Sequence, residues 1–359
     1  MFGIQKLSNR ENSFDFLRLM AALAVLVSHH FPLSGEPEPI IPIFNDTLGG
    51  IAVEIFFIMS GFLIYNSLIR NSNWAPFFSA RILRLMPNLL VALVFTSILM
   101  LFWFGNFSNI SAYINYITRN CFMFFNGVVY QIPGVLEGRP NESVNGSLWT
   151  LPYEFWMYTV LFGVFYFKPI LRVVLCIALI ALFGYLAING KWDETFQFFN
   201  VHPSTAATGK LGLQFFSGVI IAILWPYFFE RKRVDYHLVV TALGLVMTIY
   251  MVPGVLFSIA VAMLIIYIAM LKAFSFFSKV GDCSYGVYIF AFPVQQISIL
   301  AIDGFYLSMV TSVFVTILMG YCSWHLYEKR MMLLRFSLAR VLMLPFSAFH
   351  GVRKTLSLD

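Results

Sequence analysis

The stretch Asp15–Pro32, DFLRLMAALAVLVSHHFP, decides the fold. It is long and apolar enough to be a membrane-spanning helix, yet it carries an arginine and two adjacent histidines. Ionisable groups in hydrocarbon are costly, so each one asks for a functional reason. Arg18 and His29 are separated by about three helical turns plus roughly 20°, which puts them on one face, about 16 Å apart along the axis. His30 points about 100° further round. One face of this helix therefore joins a fixed cation to a titratable imidazole.

Working outward, the whole chain shares that apolar character. Hydrophobic residues make up 60% of the 359 and charged residues only 11%, which excludes an ordinary soluble protein. Apolar runs predict spans at 14–33, 48–69, 81–104, 149–168, 170–188, 210–229, 236–252, 254–272, 284–302 and 305–327. The expected fold is all-α: a polytopic membrane protein of about ten transmembrane helices in one bundle. It divides into a transmembrane domain over 1–330 and a basic, amphipathic cytoplasmic tail over 331–359. With the N-terminus inside, all but Arg119, Arg139, Lys191 and Lys210 of the 23 Lys and Arg fall on the inner side. That asymmetry places both termini in the cytoplasm and reads the net charge of +6 as topology, not as nucleic-acid binding. Asp15 and Arg18 interrupt the first apolar run, so no cleavable signal peptide is expected. The four cysteines are scattered and suggest neither a metal spacing nor a disulfide framework. Ser13 is the expected N-cap of the first span. Pro87 and Pro293, inside apolar runs, are expected to kink or break their helices. The long 105–148 connection, rich in Tyr and Phe, reads either as a partly re-entrant segment lining a site or as aromatics resting on the interface.

This topology sorts the buried charges by depth. Glu54 and Glu154 sit early in spans that enter from outside, and His29 lies near the outer end of the first span. A carboxylate beside a histidine orients its ring, so Glu54 or Glu154 is expected to hold His29 as a catalytic base. Arg18, Arg81 and Arg84 lie towards the inner surface, and arginine forks suit a phosphorylated donor arriving from the cytosol. No metal is expected: His29 and His30 diverge on the helix and lack a third ligand at matching spacing. His202, His237, His325 and His350 are assigned to solvated positions.

These residues resemble the acyltransferase-3 family of membrane O-acyltransferases. Arg18 to His29 is similar to that family's Arg-x10-His element, and Arg81-Ile-Leu-Arg84 to its Arg-x-x-Arg. GGIAVEIFFIMSGFLI around Glu54, GSLWTLPYEFWMY around Glu154, GDCSYGVYIFAFP, and Tyr327-Glu328-Lys329 follow in the family's order. One departure is Ala291, where many members carry a histidine; it leaves His29 as the catalytic histidine. The resemblance implies a multi-pass enzyme of the cytoplasmic (inner) membrane that needs no bound cofactor. It would take an acyl group, usually acetyl, from acyl-CoA as co-substrate and pass it to a hydroxyl of an extracytoplasmic glycan, such as a polysaccharide or lipopolysaccharide of the cell envelope. His29 would serve as general base or as acyl-accepting nucleophile. The implied partners are acyl-CoA, the glycan and the bilayer, and assembly into a homo-oligomer is left open. The rival reading is a secondary transporter or exporter of a small anionic or glycan-related substrate, which would also place charges near broken helices.

Overall fold

The computed structural model describes residues 12–195, 203–227 and 254–343. The expected span 236–252, the basic loop 231–233, His202, His237, His350 and the tail beyond 343 lie outside the described residues. In hydrocarbon, every backbone N–H and C=O must be satisfied within its own segment, so the apolar runs become helices. They are α1 (Phe14–Leu33), α2 (Leu48–Arg70), α3 (Trp74–Phe104), α4 (Ile110–Cys121), α5 (Thr150–Phe165), α6 (Pro169–Asn189), α7 (Thr205–Trp225), α8 (Val255–Met270), α9 (Ser284–Ala301) and α10 (Phe305–Ser323). Among the described residues, seven helices are long and apolar enough to cross a membrane. A two-residue hairpin, β1 (Ile40–Ile41) against β2 (Asp46–Thr47), leads into α2. Thr47 caps that helix, its hydroxyl accepting from the Gly50 amide at 3.0 Å.

The helices form one bundle. α1, α2, α7 and α9 make the interior, and α6 and α10 flank it. The closest crossing is α2 on α7. A Cβ added to Gly61 would sit 1.9 Å from the Phe215 carbonyl oxygen, and one added to Gly218 would sit 2.1 Å from that of Ile58. Two glycines let the backbones touch, which is the main route to tight packing where lipid removes the hydrophobic drive. Leu307, Val310, Phe314 and Leu318 on α10, with Ile170, Val174 and Ile177 on α6, face outward. Such apolar outer faces suit acyl chains and would be a liability in water.

One expectation is revised and two are narrowed. Ser13 sits at the N-cap position of α1, but its hydroxyl does not cap. It donates to the Leu271 carbonyl at 2.8 Å and accepts from the Phe274 amide at 3.1 Å, stitching α1 to the turn after α8. Pro87 and Pro293 do not break their helices; α3 and α9 run through them. Pro293 cannot donate to the Ile289 carbonyl one turn back. The Asn145 side-chain amide takes that place at 3.0 Å.

That substitution shapes the 105–148 connection. Gln296 donates to the carbonyls of Asn141 and Ser143 at 2.9 and 2.8 Å. Gly146 lies so close to Phe292 that a Cβ there would be 2.4 Å from the ring. The segment 141–149 therefore descends along α9 into the bundle, and α5 begins deep, with Thr150 hydrogen-bonded to Tyr288 at 2.8 Å. Upstream, α4 buries Tyr113 and Tyr116 in a second apolar core with Leu89, Met123 and Phe124. The re-entrant expectation describes the 141–149 part of this connection, while Phe122 and Phe125 stay exposed, as the interfacial one expects.

Candidate active site

Two sets of cavities meet inside the bundle, one opening among arginines and the other around His29. The arginine cavity, about 300 Å³, is lined by Arg18, Arg81, Arg84, Ser60, Glu154 and Tyr158, with Arg335 of the C-terminal segment at its rim. Arg18 comes from the second turn of α1 and Arg84 from α3. Both converge on Asp282, in the turn before α9: Arg18 at 3.1 Å and Arg84 at 2.6 Å. Burial alone would raise the Asp282 carboxyl, but the Arg84 and Arg18 guanidiniums outweigh it and hold it well below the usual carboxylate range. Ser284 donates to its other oxygen at 2.6 Å. Arg81 turns differently, donating to the Phe77 carbonyl at 3.1 Å with its guanidinium 4.2 Å over the Phe77 ring. Five guanidiniums, of Arg18, Arg70, Arg81, Arg84 and Arg335, against the carboxylates of Glu154 and Asp282 leave this cavity with surplus positive charge, the field an anionic ligand needs.

Behind Asp282, α10 passes through a π-turn at Trp324–Glu328. The wider turn aims Glu328 inward, where Asn88 donates to it at 2.9 Å and Ser323 also donates. Tyr327 donates to the side-chain Oδ1 of Asn88. π-turns of this kind concentrate at functional sites.

His29 lies across a partition made of Val53, Trp149, Thr150 and Tyr288. It borders two pockets. One, about 300 Å³, is walled by Tyr130, Asn141, Ser143, Gly146 and Phe292 of the re-entrant segment and α9. The other, about 220 Å³, is walled by Glu38, Asp46, Thr47, Trp192 and Lys210. The imidazole meets Phe292 edge-on at 5.5 Å, and its Nδ1 is buried with no hydrogen-bond partner among the described residues.

Neither carboxylate expected to hold that ring does so. Glu54 is paired with Lys210 of α7 at 3.1 Å and accepts from Gln214 at 2.8 Å. Lys210 also pairs with Asp46 of the hairpin. Glu154 lies in the arginine cavity, accepting from Tyr158 and, at 3.4 Å, from Ser60. The physical reason is the deep start of α5: a residue one turn into that helix is already past the partition. Adjacent His30 is the opposite of His29. Gln295 donates to its Nδ1 at 3.2 Å, so Nε2 carries the proton and faces the Phe305 carbonyl and Ser308 hydroxyl, each at 3.1 Å. His30 clamps α1 to α9 and α10.

An "Acyltransferase domain" family model matches residues 11–328, which include the histidine pockets and all of the arginine cavity's lining but Met332 and Arg335. The chain belongs to the acyltransferase-3 family. It is 33% identical over 342 residues to an O-acetyl transferase of Shigella phage Sf6, covering 90% of this chain and 96% of that protein. It is also 29% identical over 370 residues to Nodulation protein 10 of Rhizobium leguminosarum bv. viciae, covering 92% and 96%. No solved structure matches. Family and relative together support an O-acyltransferase activity in a multi-pass membrane protein.

For an acyltransferase, the residue that sequence reasoning passed over is Asp282. It stood inside the quoted GDCSYGVYIFAFP, an acid at the depth of three arginines, and charge balance at that depth was the available signal. Lys210 was counted only as a topological charge, although Glu54 needed a cation at its own depth. Ser60 and Tyr158, which hold Glu154, carry no charge and offered no such signal.

Proposed function

We propose that this acyltransferase moves an acetyl group from acetyl-CoA, bound from the cytosol, to a hydroxyl of an extracytoplasmic glycan. The observation that carries the reading is the pairing of a cation-lined cavity with an unpartnered histidine across one thin partition. Arg18, Arg81 and Arg84 would take the CoA phosphates, in the forked geometry that guanidinium allows. The pantetheine arm would then run past Ser60 and Tyr158, bringing the thioester towards Thr150 and Tyr288. His29 would accept the proton of the acceptor hydroxyl as that oxygen attacks the thioester carbonyl. The carbon–sulfur bond breaks, the new ester forms, and CoA leaves as the thiol after taking the proton back from His29. The alternative sequence passes the acetyl through His29 itself as a nucleophile. Both place the protein in the inner membrane with its termini in the cytoplasm, as the lysine and arginine asymmetry of the sequence supports.

The test is vectorial. Protein in sealed vesicles receives acetyl-CoA on the Arg81 side and an oligosaccharide on the opposite side, and glycan ester formation is followed by NMR. Acetylation from that side alone is the expected result. Acetylation that requires both substrates on one side, or no acetyl transfer at all, would overturn the reading.

A further inference from the structure

We propose that the pocket between His29, the β-hairpin and Trp192 is the acceptor subsite, and that it is built for an uncharged sugar ring. This rests on the O-acyltransferase reading and narrows its substrate. The pocket brings together three features of carbohydrate recognition. The buried, unpartnered Nδ1 of His29 marks a side chain that lines the pocket and is not consumed by the fold. Glu38 and Asp46 lie opposite, each fixed by a donor: Ser28 donates to Glu38, and Lys210 to Asp46. Ser28 is itself held by the Gly49 amide at 2.7 Å. Carboxylates anchored in this way keep lone pairs free for hydroxyl donors. The third feature is aromatic. Trp149 and Trp192 meet edge-to-face at 6.3 Å, and Trp192 is 62% exposed, so an indole is open at the pocket mouth to receive the C–H face of a pyranose.

Charge narrows the class. Among the residues lining this pocket and their ion-pair partners, Glu38, Asp46 and Glu54 face the single ammonium of Lys210. A uronate or phosphorylated sugar would add an anion to that surplus, a repulsion that selects against it. The arginine cavity carries the opposite surplus. The two cavities thus sort donor from acceptor by sign, and neither ligand gains by entering the wrong side.

The experiment uses the full chain in nanodiscs, with a neutral oligosaccharide and a polyuronate fragment as probes. Trp192→Ala should raise the acceptor KM about tenfold while leaving the acetyl-CoA KM unchanged, and Trp192→Tyr should restore most of the loss. Glu38→Gln should narrow the preference for the neutral probe over the uronate. Saturation-transfer NMR should show the neutral probe binding without donor, and that signal should fall in Trp192→Ala. An unchanged acceptor KM with undiminished binding in Trp192→Ala, or a uronate used as well as the neutral sugar, would overturn the subsite. Acetyl-CoA turnover in the same preparation reports on the parent reading separately. Its absence alongside intact sugar binding would overturn the enzyme, and with it the acceptor role, and leave the pocket as a sugar-binding site.

Discussion

The arginine cavity and the histidine pockets lie on either side of one partition and treat charge in opposite ways. In the first, Arg18 and Arg84 are locked on Asp282 before any ligand arrives. In the second, Glu54 and Asp46 are tied to the single ammonium of Lys210, and the Nδ1 of His29 has no hydrogen-bond partner among the described residues. A binding site gains from fixed charge, because preset dipoles and cations need no reorganisation. A proton-transfer site needs a group whose lone pair is still free. His30, one residue further on, shows the same contrast at shortest range: fully hydrogen-bonded, it holds helices together.

The comparison breaks most visibly at His29. His29→Ala should lower acetyl transfer by about two to four orders of magnitude, the usual loss with a general base, while acetyl-CoA binding measured by calorimetry stays near that of the parent. Loss of donor binding in that variant would merge the two sites into one. Next in size is Asp282. Removing a buried carboxylate shared by two guanidiniums should cost about 3–5 kcal/mol of stability, read by denaturant titration in detergent. Because the folded carboxyl titrates below its ordinary range, its contribution is present at neutral pH and fades only as acid protonates it. The gap between parent and Asp282→Ala should therefore close below the usual carboxylate range. A pH-independent gap would mean that packing, not charge, holds that corner.

His30→Ala should cost about 1–3 kcal/mol of stability, since it removes the buried hydrogen bonds that tie α1 to the Phe305 carbonyl, the Ser308 hydroxyl and the Gln295 amide. Activity per folded molecule should remain, which sharpens the difference between the adjacent histidines. The smallest effect belongs to Arg81→Lys. It keeps the charge and loses the fork, so the acetyl-CoA KM should rise about tenfold with the melting temperature unchanged. An unaltered KM would take Arg81 out of the donor site and leave it as the cap over Phe77.

Much of the bundle was legible because lipid makes the problem nearly one-dimensional. Long apolar runs must be helices, and nine of the expected spans fall on described helices, the largest offset being at α3, which begins at Trp74 and not at 81. The phase of Arg18 and His29 was equally readable, since both lie on one helix of known pitch. The depth of Glu154 was not. It depended on where α5 begins, and that is set by the Asn145–Ile289 and Gln296–Asn141 bonds, which join residues about 150 positions apart.

The sequence by itself determined the class of the protein, the helices, the cations and the histidine, because each follows from local composition and helical period. Only the tertiary structure decided which charges meet. Asp282 gathers two arginines from α1 and α3, Lys210 takes Glu54 from α2, and the Nδ1 of His29 finds no partner among the described residues, although every one of these residues was visible in the chain. Pairing between helices is a matter of crossing geometry, set here by Gly61 against Gly218 and by Asn145 in the place of Pro293's missing donor. No local pattern encodes that geometry, because the contacts that fix it are between segments far apart in the chain.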